Sequence, residues 1–166
     1  MEIGLKHVGI ALIVAVLALS LVLPFLGGSG AGGGSPASGN SNSAGLQAVL
    51  YKSSSCGCCG VFGSYLQGKG VNLQIVTQDD ISGIKRKAGV PSALQSCHTT
   101  IIGDYFVEGH IPKEAIDKLL AEKPDIAGIA MPGMPSGSPG MPGAKQGPFV
   151  IYSVNNDGTY QEFMRI

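Results

Sequence analysis

The sequence predicts one α/β or α+β layered domain closed by a C-terminal β-hairpin, preceded by a single transmembrane helix and a flexible linker. Three observations predict it. An uncharged apolar run stands near the amino terminus. A Gly/Ser tract follows it. Strand-like and helix-like patterns then alternate as far as an Asn155-Asn156-Asp157-Gly158 turn. The boundaries are 1–26 for the membrane anchor or signal segment, 27–45 for the linker and 46–166 for the folded domain. About 120 residues suffice for one modest core. Tyr51, Phe62, Leu73, Ile75, Ile101, Phe149 and Phe163 are its candidates.

Val8 to Leu26 reads VGIALIVAVLALSLVLPFL. As a helix it spans about 28 Å, close to the hydrocarbon thickness of a bilayer. Lys6 precedes it, and the next basic residue is Lys52. The positive-inside rule therefore leaves the N-terminus cytoplasmic and makes this a single-pass protein of the cell membrane, its domain on the extracytoplasmic side. A cleaved signal peptide is the rival reading, weakly supported at Ser35-Pro36-Ala37, and makes the domain secreted or periplasmic. Gly27 to Gly45 is uncharged and rich in Gly and Ser, the composition of a random-coil tether.

Within the domain, Leu46–Tyr51 reads as a first strand. A Ser/Cys/Gly loop follows, and a helix starts near Cys58 with Val61, Phe62, Tyr65 and Leu66 as its apolar stripe. Val71–Thr77 alternates apolar and polar residues and reads as a strand. Asp79 or Asp80 caps a helix over Ile81–Ala88, which Gly89-Val90-Pro91 ends; Ser92–Gln95 forms a short turn. His98–Ile102 is the third strand and Tyr105–Val107 a brief extended segment. A helix runs from Pro112 to Lys123, burying Ile116, Leu119 and Leu120. Phe149–Val154 and Thr159–Phe163 flank the hairpin turn.

Basic and acidic residues number 11 each, so the formal net charge is zero. That argues against a nucleic-acid partner, because phosphate binding needs a basic surface. The one basic cluster, Lys85-Arg86-Lys87, reads as a solvated helix face.

The four cysteines are Cys56, Cys58, Cys59 and Cys97, and His98 and His110 follow in the domain. Three chemistries fit them. The first is soft-metal binding, since thiolates prefer Cu(I) and Zn(II) and a histidine adds a nitrogen donor. The C-x-C-C spacing is not the two-residue gap usual in structural zinc motifs, and spacing alone does not identify the metal. The second is a structural role, with two disulfides or one bridge from Cys97 to the N-terminal cluster. The third is thiol–disulfide exchange, since Cys56 and Cys59 have the C-x-x-C spacing. The third reading makes the chain an enzyme; the other two do not. The adjacency of Cys97 and His98 makes ligation more credible, although neighbours on a strand point to opposite faces.

Residues 131–143 read MPGMPSGSPGMPG, too rich in Pro and Gly for a helix. Met131, Met134 and Met141 are either packed under a lid or thioether ligands, which suit Cu(I). The thioethers move the metal reading from zinc toward copper.

Five ordered stretches resemble one known family. They are Tyr51-Lys52 before Cys56-Gly57-Cys58-Cys59, then Gly89-Val90-Pro91, Ser96-Cys97-His98-Thr99, Val107 to Pro112, and Met131 to Pro135 with Gly137 to Met141. The sequence resembles the domain of unknown function 411 family of CopG-like, copper-resistance-associated metal-binding proteins. The resemblance implies a thioredoxin-like three-layer domain, exported and linked to copper or other metals. A cysteine motif between the first strand and first helix also sits where such folds place theirs, against a helix N-terminus that lowers a thiol pKa. The resemblance supports Cys56, Cys58, Cys59, Cys97, His98 and His110 as the functional set. The expected partners are a metal ion, the membrane, and a metal-transport protein or metalloprotein.

Overall fold

The computed structural model describes residues 47–166; the expected anchor and linker lie outside the described residues. Among those described, no helix is long and apolar enough to cross a membrane. The chain runs β1 (Ala48–Lys52), α1 (Gly57–Gly68), β2 (Leu73–Thr77), α2 (Ser82–Lys87), a 3₁₀ turn at Ser92–Leu94, β3 (His98–Ile102), β4 (Tyr105–Glu108), α3 (Lys113–Glu122), β5 (Gly128–Ala130), β6 (Val150–Val154) and β7 (Tyr160–Arg165).

The strands form one seven-stranded sheet in the order β2-β1-β3-β4-β5-β6-β7. β1 and β2 are parallel, as are β4 and β5, because α1 and α3 carry the chain over the sheet between them. The other four pairings are antiparallel, which makes this a mixed α+β domain. Side chains alternate between the two faces. On one face Leu50, Ile102, Val107, Ile129 and Ile151 pack against Phe62 and Leu66 of α1 and Ile116 and Leu119 of α3. On the other, Phe106, Ala130 and Val154 pack against Val90 and Leu94, which follow α2.

β5 is the strand that sequence patterning misses. It is three residues long and offers only Gly128, Ile129 and Ala130. Gly128 is there for space: a Cβ would sit 2.2 Å from the Phe106 carbonyl oxygen. The hairpin forms as expected, with Gly158 at φ 83° and the Asn155 amide donating to the Thr159 carbonyl at 2.8 Å.

Four expectations need correction. Val61 is 57% exposed, outside the apolar face of α1. Ile75, on the edge strand β2, is 38% exposed, although its side chain covers Gly63. Neither aspartate is the N-cap of α2; that position is Ile81, and Asp80 instead accepts a hydrogen bond from the Ser82 amide at 2.8 Å. Lys85 is buried, its ammonium 2.5 Å from the buried Glu108 carboxylate. The basic cluster is therefore not one solvated face.

Candidate thiol and imidazole centre

Two segments bring the cysteines together. The first is the loop and opening turn of α1. Cys56 is the N-cap in extended conformation, and Cys58 and Cys59 lie in the first turn. The positive end of the helix dipole faces these sulfurs. Cys56 and Cys59 are joined in a disulfide with a Cα separation of 5.4 Å. Cys58 is free, its Sγ 3.6 Å from that of Cys56. No bridge joins Cys97 to the cluster, the long-range staple that the structural alternative offered: Cys97 is also a free thiol.

The second segment pairs the start of β3 with the end of β4. Cys97 precedes β3 and so escapes strand alternation; its Sγ lies 3.4 Å from Nδ1 of His98. It also lies 3.0 Å from Nε2 of His110. His110 Nδ1 lies 2.7 Å from the Pro139 carbonyl oxygen. That nitrogen must carry the proton to donate, so Nε2 presents a lone pair to Cys97. The two imidazoles meet edge-on with ring centroids 4.7 Å apart, and Phe62 stacks on His98 at 4.5 Å.

The donors of Cys56, Cys58, Cys59 and Cys97 lie within 4.8 Å of one another, and so do those of Cys97, His98 and His110. Cys97 belongs to both groups. Burial, then the neighbouring Cys58, pushes its thiol up to about 11. Burial, with His110 and Lys85 nearby, pushes His98 down to about 3. Burial lowers His110 as well. The metal-free centre therefore holds a neutral thiol and neutral imidazoles. Nε2 of His98 is buried with no hydrogen-bond partner. Unpaired buried nitrogen, neutral imidazole and clustered sulfur together fit a soft metal ion.

The 131–143 loop covers the centre from the His110 side. The Pro139 carbonyl accepts a hydrogen bond from His110 Nδ1, and the Ser96 hydroxyl donates to the Gly133 carbonyl at 2.6 Å. Gly140, at φ 82°, comes so close to α1 that a Cβ would lie 2.8 Å from the Phe62 nitrogen and 3.0 Å from the Cys58 oxygen. Met131 is buried in the main core cluster rather than turned outward. Met134 is 53% exposed and Met141 partly exposed.

Two residues that sequence reading passes over also belong here, Lys85 and Glu108. Glu108 lies in the Val107 to Pro112 stretch, two residues before His110, and its hydrophobic flanks were the available signal for burial.

A small α+β domain with thiols at a helix start and a thiol–imidazole set at a strand start defines a class of thiol-centred domain. Comparisons make the assignment specific. Residues 94–141 match the family described as "Protein of unknown function, DUF411". Two solved structures, of copper resistance protein CopG in form 2 and form 1, each match at 35% identity and TM-score 0.68, over 74% of this chain and 98% of theirs. No curated protein matches. This chain belongs to the DUF411, CopG-like family.

Proposed function

We propose that this chain is an extracytoplasmic soft-metal-binding protein, tethered to the membrane, that holds Cu(I) in metal handling or resistance. One observation carries the reading: Cys97 Sγ stands 3.0 Å from His110 Nε2 and 3.4 Å from His98 Nδ1, within reach of three further cysteines. The copper-resistance relatives support it. Copper is preferred to zinc for the methionine-rich loop beside the clustered cysteines, with Met134 and Met141 as outer thioether donors. A thioredoxin-like fold fits the β1–α1–β2 crossover with cysteines at its helix start. The apolar run Val8–Leu26 carries the single-pass tether, and its cleavage makes the domain secreted or periplasmic. The metal is cargo, exchanged with a metal-transport protein or metalloprotein.

Anaerobic titration of the reduced chain with Cu(I), with free thiols counted in parallel, tests this. Near-stoichiometric retention against a moderate chelator is expected, and its loss in the Cys56→Ser/Cys97→Ser double variant. Release of Cu(I) by the unsubstituted chain overturns the reading.

The Cys56–Cys59 bond beside the free Cys58 thiol favours a second reading, a thiol–disulfide oxidoreductase. It requires measurable exchange with a model disulfide. A purely structural staple fits less well, because the bridge spans a sequence separation of 3 and so constrains little chain.

A further inference from the structure

Beneath the centre, on the opposite face of the sheet, lies a buried charge pair. Glu108 is wholly buried and Lys85 nearly so. Glu108 Oε1 accepts from the Lys85 ammonium at 2.5 Å and from the Ser96 amide at 2.6 Å. Its Oε2 accepts from the Thr99 hydroxyl at 2.6 Å, and Lys85 also donates to that hydroxyl at 3.2 Å. Thr99 and Glu108 face one another across β3 and β4.

The location of these bonds is informative. Ser96 and Thr99 are the two residues that bracket Cys97-His98. Glu108 is separated from His110 by Gly109 alone. Gly109 sits at φ 83°, and a Cβ there would lie 2.6 Å from the Met131 oxygen and 2.9 Å from Ser96. Its amide donates to the His98 carbonyl at 3.1 Å. One carboxylate therefore ties both ends of the thiol segment to the strand that carries the second imidazole. A buried ion pair gives little net stability for its desolvation cost, so stability alone is a poor reason for it.

We propose that Glu108, held by Lys85, is a positioning residue that fixes the Cys97–His98–His110 triad in register. This rests on the metal-binding reading, because the triad is that reading's donor set. Neither residue reaches the donors themselves. Glu108 acts through the Ser96 amide and the Thr99 hydroxyl, and Lys85 through the Thr99 hydroxyl and Glu108 itself.

Two double variants of the full chain separate positioning from charge. Lys85→Met/Glu108→Gln removes both charges and keeps an amide oxygen to accept from Ser96. Lys85→Met/Glu108→Leu removes the acceptor too. Two readouts are taken. In the metal-free, reduced chain, Cys97 alkylation by iodoacetamide is followed peptide by peptide. In the reduced chain, Cu(I) affinity is measured by chelator competition.

In the Leu variant, alkylation of Cys97 is expected to quicken, and Cu(I) affinity to fall, by about tenfold, the scale of losing a partner of a metal ligand. The Gln variant is expected to stay near the unsubstituted chain in both. Thr99→Val keeps the ion pair and is expected to quicken alkylation by about threefold, the scale of one hydrogen bond. It decides the matter if the Leu variant does not fold. Unchanged Cys97 alkylation in the folded Leu variant, or in Thr99→Val, overturns the proposal. So does a Gln variant as impaired as the Leu one. Failure of the unsubstituted chain to hold Cu(I) overturns the metal reading instead, and alkylation still judges the positioning role.

Discussion

The two cysteine-bearing segments meet at one centre but are built on opposite plans. The α1 segment is permissive. A Cβ on Gly57 or Gly60 would touch nothing within 4 Å, and its sulfurs include both a bond and a free thiol. The Cys97–His98–His110 segment is constrained from every side. It has a carboxylate beneath it, a loop carbonyl on His110 and a glycine with no room for one more carbon. One side of the centre holds its sulfur in two states, a bond and a free thiol, while the other is boxed in by neighbouring groups.

The largest test of this contrast removes a single charge. Lys85→Met leaves Glu108 buried without its cation, and unfolding measurements should show a loss of about 3–5 kcal/mol. A cost below about 1 kcal/mol would mean the carboxylate is not confined as described.

Acid is the second probe. His98 is held neutral, pushed down to about 3 by burial. The unfolded chain takes up that proton near pH 6.5 and the folded chain does not. Stability of the metal-free protein is therefore full above about pH 6.5. It should fall as the pH drops from there toward 3, by up to about 1.4 kcal/mol per pH unit. Flat denaturation midpoints between pH 6.5 and 4.5 would contradict the buried imidazole.

A pair of glycine substitutions gives the smallest effects and the sharpest contrast. Gly109→Ala imposes strain and a clash with the Met131 carbonyl, and should cost about 1–3 kcal/mol. Gly60→Ala enters open space within a helix, and should stabilise by about 0.5–1 kcal/mol. Equal signs in thermal unfolding would erase the distinction between the segments.

Much of the permissive segment was legible in the sequence. Cysteines among glycines and serines at a strand–helix junction mark themselves. β3 falls at His98–Ile102 and the hairpin flanks its Asn-Asn-Asp-Gly turn, since alternation and turn chemistry are local signals. The constrained segment was legible only in its donors. Lys85 looks like one member of a basic run, and its burial depends on a carboxylate 23 positions away. β5 was hidden because it is three residues long and two of them are Gly and Ala, the glycine required by the close approach of Phe106. The adjacency of Cys97 and His98 made shared ligation more credible, and the opposite-face rule of a strand does not separate them because Cys97 lies outside β3. The strand begins at His98, where the sequence pattern places it.

The Cys56–Cys59 bond carries one more consequence. Composition gives this chain four sulfur donors of the thiol kind, but the closed bond leaves Cys58 and Cys97 as the free ones. Two electrons delivered to that bond double the supply. The number of free thiols at the centre, two with the bond closed and four with it open, then records how reducing its surroundings are.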